Sequence, residues 1–162
     1  MARKVFFSFH YENDISGVMV ARNSGAFKSV QEAGFIDAAA FEKVKLQGQT
    51  AIHKWIDEQL HGTTMTVVLI GKDTLDREYV KYEICQSINK GNAIIGVHIC
   101  NIKDMRTQQG SHSGNIRTQI GTRGDSPKYF NEVACSIHDY INDSGYVNMG
   151  TWIEAAAINK GK

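Results

Sequence analysis

The chain has 162 residues, of which 42% are hydrophobic and 22% charged, a composition typical of one soluble globular domain with its own core. Eighteen basic and seventeen acidic side chains leave a formal net charge of +1, so the charge gives no case for binding to nucleic acid or to a membrane. Cys85, Cys100 and Cys135 form no close pair, which argues against a disulfide framework and predicts a reducing, cytoplasmic setting.

Continuous apolar runs predict strands that are buried on both faces, as in a parallel sheet. Three such runs occupy residues 4–9, 65–70 and 93–99, and residues 34–37 form a shorter candidate. The first run is too short and turns polar too soon for a signal peptide, and no segment approaches the length of a membrane span.

Amphipathic segments between these runs predict helices. Apolar residues recur at helical spacing within residues 50–60 and again within residues 76–90, where Asp73 or Thr74 would cap the helix.

The C-terminal part of the chain leads to two further helix predictions. Ser126 followed by the only proline, Pro127, is typical of a helix start. An apolar face then continues to Ile141, and Gly145 would end this helix. A short last helix is expected at residues 152–157.

Residues 101–125 differ from the rest because they are polar and contain four glycines. A loop of that length inside a compact domain is usually functional or disordered, and we expect a weak strand at residues 115–120 within it. Apolar strands alternating with amphipathic helices predict an α/β fold. The economical choice is a flavodoxin-like three-layer sandwich with about five parallel strands. It would form a single domain over residues 1–162, with a polar insertion near 101–125 and a C-terminal helical tail.

The motifs of several nucleotide and metal sites are missing. No Walker A loop precedes Gly71, and no G-x-G-x-x-G occurs, so a redox dinucleotide held in the Rossmann manner is not expected. His98 and Cys100 alternate along a predicted strand, but no second pair completes a metal site, and we therefore predict no metal.

In an open parallel sheet, ligands bind beyond the carboxyl ends of the strands. Hydroxyl, imidazole, aromatic and charged groups gather at these ends, and this mixture suits a ligand with flat rings and polar sugars. The candidate ligand-binding residues are Ser8, Phe9, His10, Tyr11, Asp37, Phe41 and Lys72.

Glu83 is a second kind of candidate, because it lies at the border of an apolar helix face. At 100° per residue it falls just off the stripe formed by Val80 and Ile84, between Tyr79 at i−4 and Ser87 at i+4. A carboxylate in the seam between two elements can be partly desolvated yet open to a pocket, although a merely solvated glutamate would satisfy the same spacing.

Four segments carry a likeness to a known family: the opening RKVFFSFHYEND, the stretch AGFIDAAAFEKVKLQGQTAIHKWIDEQL, the third strand and helix TTMTVVLIGKDTLDREYVKYEI, and KGNAIIGVHI. Together they resemble a TIR domain, and in particular the ThsB-type TIR-like proteins of bacterial Thoeris anti-phage systems. Tyr79 stands where many family members have Trp, and Glu83 falls on the family's catalytic glutamate. The resemblance covers roughly residues 4–99.

The resemblance implies an enzyme that cleaves the bond between nicotinamide and ribose, with NAD⁺ as substrate and no cofactor. Thoeris members are thought to release a cyclic ADP-ribose isomer that signals to a partner effector. On this view Glu83 stabilises an oxocarbenium-like ribose, and aromatic side chains such as Phe9, Tyr11 and Phe41 stack on the rings. Arg22 or Lys72 would meet the pyrophosphate.

Two other readings of the sequence remain open. One is a TIR scaffold without activity that signals by self-association, which would require a homo-oligomer. The other is a flavodoxin-like domain that binds a different nucleotide.

Overall fold

The computed structural model describes residues 3–23, 30–33, 38–103, 107 and 109–162. The strands are β1 Arg3–Ser8, β2 Val30–Ala33, β3 Met65–Ile70, β4 Ala93–His98, β5 Gln119–Arg123, β6 Ser126–Tyr129 and β7 Ser136–Asp139. The helices are α1 Tyr11–Asn23, α2 Ala38–Leu46, α3 Gln49–Leu60, α4 Glu78–Lys90, α5 Phe130–Val133 and α6 Gly145–Asn159. A 3-10 turn, Thr74–Asp76, lies between β3 and α4.

Five strands form one parallel sheet in the order β2-β1-β3-β4-β7. This confirms the predicted α/β fold with a central parallel sheet of about five strands. The order reverses between β1 and β3, because β2 lies on one side of β1 and the later strands of this sheet, β3, β4 and β7, lie on the other. We call the edge of the sheet at Ser8, Ile70 and His98, where β1, β3 and β4 end, the crest.

The two sheet faces are covered by different helices, which makes the molecule three layers deep. On β1, Val5 and Phe7 contribute to a core that includes Val18 of α1 and Ile153 of α6. Phe6, the residue between them, packs against α3 residues on the opposite face. Successive strand side chains point to opposite faces, so Ser8 shares the face of Phe6.

Helix α4 packs on the same face as α3, beside the antiparallel hairpin β5–β6. Val80 and Ile84 of α4 share a buried cluster with Ile120 of β5 and with Phe130. Cys85 donates a hydrogen bond from Sγ to the backbone oxygen of Ile120 at 3.3 Å. The hairpin therefore covers the part of this sheet face that α4 does not cover.

One turn of the predicted helix from Pro127 to Ile141 is present as α5, Phe130–Val133, and the rest of the prediction is wrong. Pro127 lies in β6, a strand of a two-stranded ribbon, where the lack of an N–H costs little. Residues 136–139 form β7 and pair in parallel with β4, so the demand for a further sheet strand overrides the helical spacing. Gly145 begins α6 instead of ending a helix, because its Cα sits against the ring of Tyr140 where a Cβ would overlap.

Four other predictions concern the bounds of single elements. The second strand is β2 at residues 30–33, and the predicted 34–37 lies outside the described residues. The expected cap of α4 is also wrong: Arg77 precedes the helix, and neither it nor Asp73 makes a side-chain capping bond. The expected strand at 115–120 overlaps β5, and the expected last helix lies within the longer α6.

Among the described residues, no helix combines the length and apolarity that crossing a membrane requires. Within the same part of the chain, no three His, Cys, Asp or Glu side chains come together as metal ligands would.

Candidate active site

Glu83 reaches from α4 to the end of β1. The hydroxyl of Ser8 donates a hydrogen bond to Oε2 of Glu83, although 75 positions separate the two residues in the chain. Ser8 is fully buried, and Glu83 is half-buried. The border position expected for Glu83 is therefore a carboxyl group enclosed between the helix and the sheet.

Burial gives this carboxyl group an unusual proton affinity. Loss of solvent raises the pKa of Glu83 to about 8, and the hydrogen bond from Ser8 acts in the opposite direction by favouring the charged form. Near neutral pH the acid is thus largely protonated and close to its titration point. Carboxyl groups with such pKa values occur often at catalytic sites.

A row of buried polar side chains fixes α4 behind Glu83. The hydroxyl of Ser87 donates to the backbone oxygen of Glu83 at 2.8 Å and lies 2.8 Å from the hydroxyl of Thr66 on β3. Asn92 donates to Thr66 at 3.2 Å and to Thr63 at 2.9 Å. Because each of these side chains has a partner, the row holds α4 to β3 at a defined height along the sheet.

The first-strand residues predicted to meet the ligand face different sides of the sheet. Phe9 is partly buried against the core shared with α1 and α6, on the face opposite Ser8. His10 is 5% exposed, and its backbone oxygen accepts a hydrogen bond from the N–H of Asp14 at 2.9 Å. Tyr79 is partly buried beside α3, one turn before Glu83.

The other predicted ligand residues are dispersed. Lys72 is exposed directly after β3 and thus lies at the crest. Arg22 is exposed in the last turn of α1, about 16 Å along the helix from the crest at 1.5 Å per residue, so the structure does not bring it there. Asp37 and the side chains of Tyr11 and Phe41 lie outside the described residues.

Three residues outside the predicted ligand set meet at the crest. The N–H of Gly71 donates to Oγ1 of Thr74 at 2.7 Å, and this hydroxyl donates to Oδ2 of Asp14 at 2.6 Å. A Cβ on Gly71 would overlap with the carboxyl group of Asp14. Burial raises the pKa of Asp14, and the Thr74 hydrogen bond opposes this shift. A small residue after a strand, opposite an acid in the first helix, is too weak a signal to find this contact.

The polar stretch after β4 crosses the crest. We call residues 109–116 the cover segment. Near its start, the N–H of Ser111 donates to the Cys100 backbone oxygen at 2.7 Å. A Cβ on Gly114 would overlap with the backbone oxygen of Gly71, so the segment lies directly on the end of β3. A cavity of about 260 Å³ lies beneath it, lined by residues that include Asp14, Gly71 and Ser111.

Comparison with known proteins assigns the chain to a family. Residues 6–104 match the profile of the family described as Thoeris protein ThsB, TIR-like domain. The chain belongs to this ThsB family. It is also 46% identical over 154 residues to a protein of Bacillus cereus strain MSX-D12, a match that covers 94% of the chain and 72% of the relative. The name of that relative describes it, provisionally, as the cyclic ADP-D-ribose synthase ThsB1.

The region matched by the ThsB family contains both the Ser8–Glu83 pair and the contact among Asp14, Gly71 and Thr74. Ser8, Asp14, Gly71, Thr74 and Glu83 all lie within residues 6–104. The hairpin, β7 and α6 lie beyond this region.

Proposed function

We propose that this protein cleaves the nicotinamide–ribose bond of NAD⁺ and closes the ADP-ribosyl group into a cyclic ADP-ribose-type messenger for anti-phage defence. The observation that carries the proposal is the enclosed carboxyl group of Glu83 at the end of β1, held by Ser8. Membership of the ThsB family and the name of the Bacillus cereus relative support the same reaction.

Cleavage of the nicotinamide–ribose bond requires a negatively charged group near the ribose more than it requires a proton donor. Nicotinamide leaves NAD⁺ as a neutral molecule, and the positive charge of its ring passes to the ribose as an oxocarbenium-like centre. A carboxylate placed against that centre stabilises the transition state most strongly where water is excluded. Glu83 fits this requirement because its carboxyl group is shielded by α4 and the sheet.

The substrate itself can supply the charge state that the reaction needs. A positive nicotinamide ring near Glu83 favours the ionised carboxyl group and so lowers its pKa from about 8. Among the described residues, Ser8 is the hydrogen-bond partner of the carboxyl group, at Oε2. The other oxygen, Oε1, is then available to a ribose hydroxyl.

Cyclisation requires that a nucleophile of the same molecule reacts before water does. The bond to nicotinamide breaks, a bond from the ADP-ribosyl group to its own distal part forms, and the nucleophile loses a proton. The cover segment lies across the end of β3 and would limit the entry of water from that side. The cyclic product would then act on a downstream effector as a diffusible messenger.

The test compares three forms of the protein in cells challenged with phage. Mass spectrometry of small molecules measures the cyclic product in the wild type, in Glu83→Gln and in Glu78→Gln. Glu83→Gln keeps the shape and removes the charge, so we expect the product to fall by about 100-fold or more. Glu78 is exposed in the first turn of the same helix, and its variant should match the wild type. Equal product from Glu83→Gln and the wild type would contradict the proposal.

A further inference from the structure

Asp14 and Thr74 form a connection across the crest, at the point where the strand order reverses. Asp14 belongs to α1 on one sheet face, and Thr74 opens the 3-10 turn that leads into α4 on the other. The hydrogen bond of 2.6 Å between them therefore joins the two outer layers over the boundary between β1 and β3. Ser8 and Glu83 meet across the same boundary.

We propose that Asp14 and Thr74 are positioning residues for Glu83. Given the proposed function, their hydrogen bond fixes the start of α4 so that the carboxyl group of Glu83 stays against Ser8. Neither side chain needs to touch the substrate for this role.

Because the hydrogen bond between Asp14 and Thr74 is buried, it holds the two residues in a defined geometry. Thr74 is fully buried, and its hydroxyl accepts from Gly71 while donating to Asp14, so both of its hydrogen-bonding functions are used. Leu75, the next residue, is 2% exposed and packs in the same cluster as Val80 and Ile84 of α4. A shift of the turn would thus be passed directly to the helix face that carries Glu83.

The close approach of Asp14 to Gly71 strengthens the connection. The carboxyl group occupies the space that a side chain at position 71 would fill. The N–H of Asp14 donates to the backbone oxygen of His10, which fixes the acid in the first turn of α1, just after β1. The acid consequently links the start of α1 to the residue that follows β3.

The experiment removes the hydroxyl of Thr74 and compares the effect with that of removing a threonine hydroxyl elsewhere in the protein. Thr74→Val deletes the hydroxyl and keeps the shape, and Thr74→Ser restores the hydroxyl. Thr64→Val is the control, because Thr64 is half-buried just before the start of β3, at the opposite edge of the sheet, and its hydroxyl accepts a hydrogen bond from Arg3 at 3.1 Å.

We expect Thr74→Val to lower kcat for nicotinamide release by roughly tenfold to hundredfold, with a smaller change in KM. Thr74→Ser should recover most of the rate, and Thr64→Val should keep the wild-type kcat. Should Thr74→Val fail to fold, Asp14→Ala removes the acceptor at a half-buried helix position and carries the same expectation.

A second readout needs no activity. The pKa of Glu83, measured by NMR on the folded protein, should move down towards that of a solvated glutamate in Thr74→Val and stay unchanged in Thr64→Val. If Thr74→Val leaves both kcat and this titration unchanged, the positioning role is overturned. If the wild type releases no nicotinamide but the titration shifts as expected, the proposed reaction fails and the positioning role stands.

Discussion

The buried carboxyl group of Glu83 affects the stability of the protein as well as its chemistry. A glutamate that titrates near 8 in the folded state and near 4.5 when unfolded binds more protons in the folded state over that whole interval. The free energy of unfolding therefore falls as the pH rises from about 4.5 to 8. Retaining an ionisable acid at this position costs stability, as is common at functional sites.

Glu83→Gln should remove this pH dependence. We expect the variant to gain stability over the wild type as the pH rises from 5 to 8, by on the order of 1 kcal/mol per pH unit. Urea denaturation at several pH values measures the difference. Glu78→Gln should track the wild type at every pH, because Glu78 is exposed. Parallel curves for Glu83→Gln and the wild type would contradict the raised pKa.

Sequence reasoning could locate Glu83 but not its partners. The helical spacing placed the acid at the edge of an apolar stripe, and the resemblance to TIR domains gave it a role. The pairing with Ser8 depends on the packing of α4 over β1, which helical spacing does not encode. The contact between Asp14 and Thr74 was not predicted, because Thr74 was considered only as a helix cap and Asp14 is an ordinary polar residue until the crest brings the two to 2.6 Å.

The cover segment shows how a polar stretch can be ordered by backbone contacts. Gly114 rests on the backbone oxygen of Gly71, and the N–H of Asn131 donates to the backbone oxygen of Ile116 at 2.9 Å. The segment thus runs from the end of β4 across the crest to the side of the hairpin. Glycine permits this approach because no side chain intervenes.

Gly114→Ala should lift the cover segment. The added Cβ would overlap with the Gly71 oxygen and lie 2.7 Å from Cγ2 of Ile70, so the segment must move away from β3. We expect amide hydrogen exchange in residues 109–116 to accelerate by roughly tenfold. The ratio of cyclic to linear ADP-ribose should fall, because more water reaches the site.

Ser113→Ala is the matched control for this change, since Ser113 is an exposed neighbour. It should leave both the exchange rates and the product ratio at wild-type values. An unaltered product ratio in Gly114→Ala, despite faster exchange, would show that the segment does not exclude water from the reaction.

Elements whose residues carry one strong pattern were predictable from the sequence. Elements whose conformation depends on the neighbouring strand or helix were not. β1, β3 and β4 were anticipated closely because each is a continuous apolar run in the middle of the sheet. β7 is an edge strand of four half-buried residues, and its spacing also fitted a helix. Only the available edge of β4 decides that residues 136–139 extend the sheet.

At the scale of the whole molecule, α6 completes the layer that α1 begins. Met149 and Ile153 are fully buried against the sheet, and Arg3 of β1 pairs with Glu154 at 2.9 Å. That ion pair is largely exposed on the glutamate side and should contribute little. The apolar contacts of α6 therefore dominate its attachment.

Ile153→Ala should destabilise the protein by about 3 kcal/mol, because it leaves a cavity in the core between α6 and the sheet. Ile158→Ala, in the same helix, removes a side chain that is 66% exposed and should change the free energy of unfolding by less than about 0.5 kcal/mol. Chemical denaturation of the two variants measures both values. Similar losses for the two positions would show that α6 is not docked as described.

The long sequence separation between Ser8 and Glu83 has a consequence for the cell that makes the protein. A growing chain emerges with its first strand before the helix that carries the acid. On the proposed reaction, a chain that ends before α4 lacks Glu83 and has no means of consuming NAD⁺.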